Sequence, residues 1–167
     1  MTTARFPPRG GVPLRTPAQL LATTCLLACS HATLPGTEIP DNPQNRAVLD
    51  VFARYRDALE ARDATGLLAL AAAAYADAGD TTHGVGPVDY AGLQQKLQTD
   101  FARVSGIKLE ATIKDIDVRG DDARLDYFLV LRYAVKTPTG ESWKSESDDA
   151  RMKFVKVKGE WKIASGL

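Results

Sequence analysis

The sequence predicts an α+β fold, three helices followed by an antiparallel sheet. Three observations carry that prediction. Apolar residues recur at spacings of three and four up to Val104, and from Ile107 onward at every second residue. The odd positions Ala123, Leu125, Tyr127, Leu129, Leu131, Tyr133 and Val135 are all apolar, the pattern of a long strand with one face on a core. Short turn sequences, Gly120-Asp121, Pro138-Thr139-Gly140 and Lys158-Gly159, separate the strand runs, so neighbouring strands return antiparallel.

The first 43 residues stand apart from this pattern. Ala18 to Ala28 is an apolar run of eleven residues, preceded by Arg5, Arg9 and Arg15 and by no acid. A membrane-spanning helix needs about 20 apolar residues, so the run has the length and flanking charge of an export signal. Leu26-Leu27-Ala28-Cys29 resembles a bacterial lipobox, which implies cleavage after Ala28 and lipid on Cys29. A secretory signal cut elsewhere is the rival reading. A Cys25/Cys29 redox or metal pair has the spacing C-x3-C and no partner cluster. Residues 1–28 are therefore expected to be a lipoprotein signal peptide and residues 29–43, with three prolines and a glycine, a flexible tether. The domain then covers 44–167. Acyl chains on Cys29 would make a membrane the first partner. Ser30, by the sorting rule of enteric bacteria, implies the outer membrane facing the periplasm.

Cleavage would leave 139 of the 167 residues. It removes three of the 21 basic residues and none of the 21 acidic ones, so the remainder is slightly acidic. Such a charge offers no footprint for nucleic acid. With both cysteines in or beside the signal, the core must supply the stability without a disulfide.

Each element has its own signals. Asn42-Pro43 starts a helix whose buried stripe is Val48, Phe52, Tyr55 and Leu59. Asp63 caps a second helix with Leu67, Leu68, Ala71, Ala72 and Tyr75 inward, the alanines at 71–74 allowing close helix packing. A polar, Gly-rich loop precedes a third helix carrying Tyr90, Leu93, Leu97, Phe101 and Val104, with Gly106 as its C-terminal cap. Ile107, Leu109, Ala111 and Ile113 then alternate, and the apolar parity slips to Ile116 and Val118, which predicts a bulge near Lys114-Asp115. After the seven-residue apolar face come a long strand from Trp143 to Val157 and a closing strand with Trp161 and Ile163.

The stretches FARYRDALEARDATGLLAL, RGDDARLDYFLVLRY and FVKVKGEWKIASG resemble the nuclear transport factor 2-like (SnoaL-like) superfamily over about Gln44 to Leu167. The resemblance implies helices packed on a strongly curved antiparallel sheet, a cone-shaped α+β barrel with a cavity at its mouth. It does not imply one activity, since the superfamily holds isomerases, dehydratases, hydrolases and non-catalytic members.

The expected pocket residues are Tyr55, Tyr75, Tyr90 and Tyr133, with Tyr127 on the same strand face. A catalytic reading would make Asp80 or His83 a general base and a tyrosine the donor to an oxyanion. The tyrosines all fall on apolar faces, where core packing accounts for them, so no catalytic residue is assigned. Asp77, Asp80 and His83 have the spacing D-x2-D-x2-H but no second cluster, so no metal or other cofactor is expected. Asp121-Asp122 and Asp148-Asp149 are adjacent strand or turn residues whose side chains diverge, which excludes a carboxylate dyad. Phe128 and Val130 lie on the other face of the long strand, between charged ends, and the family often dimerises there. The expectation is a cell-envelope domain binding a small apolar ligand. An envelope isomerase, dehydratase or hydrolase and a protein-interaction module are the alternatives.

Overall fold

The protein is described by a computed structural model over residues 32–79 and 86–167, within the compact unit His31–Leu167. The unit has a core of its own, built from both helices and sheet, as expected of a domain that folds alone. Helix α1 spans Pro43–Ala61, with the Asn42 side chain accepting from the Asn45 amide at 2.8 Å and proline in the first turn. Its expected stripe is inward: Val48, Phe52 and Tyr55 are buried, joined by Val51. Helix α2 spans Ala64–Leu70, capped by Asp63 through the Gly66 amide at 2.9 Å. Two-residue strands β1 (Ala76–Asp77) and β2 (Val88–Asp89) pair with each other, and helix α3 follows over Tyr90–Arg103.

The sheet is a meander of β3 (Val104–Arg119), β4 (Asp122–Thr137), β5 (Gly140–Val157) and β6 (Glu160–Ser165), all antiparallel neighbours. The bulge expected near Lys114-Asp115 is present, since the register with β4 shifts between Ile113 and Asp115. One extra residue there returns Ile116 to the inner face beside Leu125. The architecture is the expected α+β one, helices on one face of a long, bulged antiparallel sheet. Ala123, Leu125, Tyr127, Met152, Phe154 and Ile163 form the sheet side of the core, against Val48, Phe52 and Leu67. Phe52 meets Tyr127 edge to face, with ring centroids 4.8 Å apart.

Four local expectations differ. The tether expected over 29–43 includes ordered residues. Leu34 N–H donates to Ile39 O, Asp41 N–H donates to Ala32 O, and Asn45 Nδ2 donates to Pro40 O, while Ile39 is buried in the core. The domain thus reaches back at least to Ala32 rather than starting at Gln44. One buried isoleucine, two backbone bonds and one bond from the Asn45 side chain hold a segment whose composition reads as linker. Helix α2 stops at Leu70, and Ala71 instead bridges Ile163 of β6 in parallel, so Ala71 and Ala72 are small because a strand backbone lies against them. Gly106 lies in β3, not at a helix cap. A Cβ there would come within 3.2 Å of the Trp143 ring, which lies across it. The β1–β2 pair, two residues on each side, has no sequence signal.

The edge of β3 is closed from α1. Glu60 accepts from the Leu109 amide at 3.0 Å and from Lys108 Nζ at 2.8 Å, satisfying a backbone donor that faces no strand. Arg62, in a left-handed backbone conformation, donates to Val104 O at 2.9 Å. These bonds fix the end of α1 against the start of β3, and Leu59, Val104 and Ile107 from these two segments line the cavity described below.

Candidate functional site

The inner face of β4 changes character along its length. Ala123, Leu125 and Tyr127 are buried, whereas Leu129, Leu131, Tyr133 and Val135 are only partly covered. Sixteen-residue strands outrun the helices packed on them, and the uncovered part forms one wall of a cavity of about 450 Å³. This volume suits a small organic ligand. Leu59 of α1 and Leu97 and Phe101 of α3 face Leu131, Val135 and Ile107 across it.

Polar groups sit at defined places on these walls. Tyr55 lines the cavity and is buried, and its phenol is driven well above the usual tyrosine range, first by burial and then by neighbouring Tyr127. Tyr127, buried behind it, is pushed up to about 12 by burial, against a smaller opposing effect from the Tyr55 hydroxyl. Tyr133 donates to Glu146 Oε1 at 2.6 Å, and both residues line the cavity. That carboxylate holds the Tyr133 proton in place and raises its pKa. On the helical wall, Lys96 and Asp100 pair at 2.9 Å, and Arg103 follows in the last turn of α3.

The buried phenols give a pH prediction. Folded Tyr127 keeps its proton up to about 12 whereas an unfolded tyrosine loses it near 10, so the folded state binds the proton more tightly. The stabilisation is complete below pH 10 and is lost as pH rises from 10 through 12. On the order of 2 kcal/mol should disappear between pH 9.5 and 11.5 on account of Tyr127. Urea unfolding should show a shallower alkaline fall in Tyr127→Phe, and equal slopes would contradict the burial of this hydroxyl.

Of the expected pocket tyrosines, Tyr55 and Tyr133 reach the cavity. Tyr75 and Tyr90 do not line it. The Tyr75 hydroxyl is bonded to the Leu167 backbone, accepting from N–H at 3.0 Å and donating to O at 3.3 Å, and so it anchors the last residue, which itself lines the cavity. The Tyr90 hydroxyl donates to Leu68 O at 3.3 Å and ties α3 to α2. Asp77 is engaged on both oxygens, by the amides of Gly79 and Gly166. Ala28, Cys29, Asp80 and His83 lie outside the described residues. Among the described residues no group of three or more His, Cys, Asp or Glu is placed to hold a metal ion, and no helix is long and apolar enough to cross a membrane.

The residues missed by sequence reasoning are Glu146, Lys96, Asp100 and Arg103. Glu146 was findable: counting pairs outward from the two-residue turn at Pro138-Thr139 sets it opposite Leu131, on the inner face. The opposite face of the sheet is charged. Asp126 is held by Arg151 at 2.6 Å, and Arg124 joins Asp115 at 2.7 Å. Phe128, 37% exposed, lies among these pairs with Lys114 Nζ 5.6 Å from its ring centroid, and Val130 is half-buried.

No protein-family model matches the chain, and no curated protein matches it either. Solved structures do. A conserved protein from Planctomyces limnophilus superposes with a TM-score of 0.65 at 20% identity, over 72% of this chain and 91% of that one. A ketosteroid isomerase-like protein from Erwinia carotovora atroseptica gives 0.62 at 17% identity, over 74% and 92%. A candidate dehydratase of the nuclear transport factor 2-like family from Streptomyces avermitilis gives 0.60 at 16% identity, over 72% and 92%. The chain has the nuclear transport factor 2-like fold. At these identities the likeness is one of fold.

Proposed function

We propose that the protein is a non-catalytic domain that binds a small apolar or amphipathic molecule, carried on the bacterial cell envelope by lipid on Cys29. The observation that supports the binding reading is the cavity itself, about 450 Å³, with leucines, Phe101, Ile107 and Val135 over most of its wall. Burying apolar surface there favours binding by about 25 cal/mol per Å² of surface removed from water, before the cost of association. Catalysis by general base would need a carboxylate or imidazole free to take a proton from the bound molecule. Among the described cavity residues Asp100 is paired with Lys96 and Glu146 with Tyr133, while Tyr55 is held protonated. An isomerase or dehydratase, the activities named for two of the structural neighbours, would have to work through the one Glu146 oxygen that Tyr133 leaves open.

Mass spectrometry of small molecules extracted from protein purified in its native membrane tests the reading. One apolar species in stoichiometric amount is expected. The envelope part of the proposal predicts acyl mass on Cys29 and loss of processing in Cys29→Ser, and an unmodified, equally processed wild type would remove it. A second copy packing on Phe128 and Val130 belongs to the same proposal. The surrounding residues alternate in sign (Asp126, Arg132, Asp149, Arg151), so a two-fold axis could pair opposite charges. Sedimentation as a monomer at tens of micromolar would exclude it.

A further inference from the structure

Among the described residues, two charges on the cavity wall have no charged partner, one carried by α3 and the other by β5. Lys96 and Asp100 cancel each other at 2.9 Å. Arg103, three residues further along α3, lines the same cavity and makes no ion pair among the described residues. On the sheet wall, Glu146 of β5 receives, among the described residues, only the neutral Tyr133 hydroxyl, on Oε1, which fixes the carboxylate without cancelling its charge. The two do not pair with each other, although a guanidinium and a carboxylate within reach would close a bidentate bond. The same cavity has apolar wall from Phe101, Val104, Leu131 and Val135.

From this arrangement we propose that the ligand is a zwitterionic amphiphile. Its apolar body fills the cavity, its anionic group meets Arg103, and its cationic group meets Glu146. The inference rests on the binding reading above and adds the chemical class of the ligand's head. A purely anionic or cationic amphiphile satisfies one of the two side chains and leaves its like charge near the other. A neutral one satisfies neither. The Tyr133 hydroxyl acts as a positioning group, because its bond to Oε1 leaves Oε2 for the ligand's cation.

Both charged side chains are partly in water, so each matched charge should improve affinity about threefold, and both together about tenfold. The test uses residues 32–167 and four ligands with the same decyl chain: a sulfobetaine, a trimethylammonium salt, the carboxylate and the alcohol. Each displaces a neutral naphthylamine dye, below its micelle concentration. The sulfobetaine is expected to bind about tenfold tighter than the alcohol, with the two singly charged ligands between. Arg103→Gln should bring the sulfobetaine down to the level of the cation, and Glu146→Gln down to that of the anion. Thermal unfolding of both variants should match the wild type, since both side chains are exposed. Equal displacement by all four ligands, or a sulfobetaine preference unchanged in both variants, would overturn the zwitterion and leave the apolar pocket standing. Displacement by none of them would remove the binding reading as well.

Discussion

Phe154→Ala should cost about 3–5 kcal/mol of folding stability. Phe154 is 1% exposed and stands on the inner face of β5, between Ala123 of β4 and Ile163 of β6. Its ring is the largest among the fully buried side chains, in a cluster that includes Leu67, Leu125, Met152 and Ile163. Truncation removes the ring's transfer free energy and leaves a hole between the sheet and the helices packed on it, which the hydrogen-bonded strands are too rigid to close. A domain of this size has a total stability of about 5–15 kcal/mol, so the loss is a large share of it. Phe128→Ala is the matched control, the same residue type on the outer face of β4. It should change stability by about 0.5 kcal/mol or less. Urea midpoints for the two variants check the assignment of faces, and similar losses would mean that the sheet is buried on the other side.

Gly166→Ala is the second large effect. Gly166 has φ +95, a conformation that costs an L-residue about 1–2 kcal/mol. A Cβ at 166 would also run into the Arg151 carbonyl and come within 2.9 Å of Met152 Cα, and backbone cannot step aside as a side chain can. Relieving that clash costs roughly 1–3 kcal/mol more. The alternative is release of the last residues, which forfeits the 2.7 Å bond from Gly166 N–H to Asp77 and both bonds between Tyr75 and Leu167. Amide exchange at Gly166 and Leu167 separates the two outcomes. Slow exchange with lowered stability means strain, and fast exchange means release. Unchanged stability together with unchanged exchange would contradict the packing described here.

The parts of the fold legible in the sequence are those set by repetition. The parity slip between Ile113 and Ile116 marked the bulge because each strand residue alternates face, so one extra residue must show as a phase change. The caps Asn42 and Asp63 were legible because a helix start needs an acceptor for its free amides. Contacts made by single residues left no such trace. Ile39 stands alone among prolines and polar residues, and nothing periodic announces that it is buried. Gly106 reads as a helix cap because glycine serves both there and under an aromatic ring, and only the position of Trp143 decides between them. The candidate site was half legible for the same reason. Tyr55 and Tyr133 lie on apolar stripes, whereas Glu146 sits in an exposed stretch, SESDD, whose inward positions are as polar as its outward ones. That stretch is polar on both faces because β6 pairs only with Lys153–Val157 and, among the described residues, nothing covers β5 from Gly140 to Asp149, all of which are exposed.

Binding of an apolar molecule in the cavity between α3 and the sheet is tested by a dye titration with a blocked-cavity control. Leu131 lines the cavity and is only partly buried, so Leu131→Trp fills space there without overpacking the core beside Leu125. Wild-type residues 32–167 should bind one naphthylamine dye per chain, with enhanced, blue-shifted emission and a raised melting temperature. Leu131→Trp should keep the fold and lose at least tenfold in affinity. Equal binding by wild type and Leu131→Trp, or no binding by either, would contradict the account.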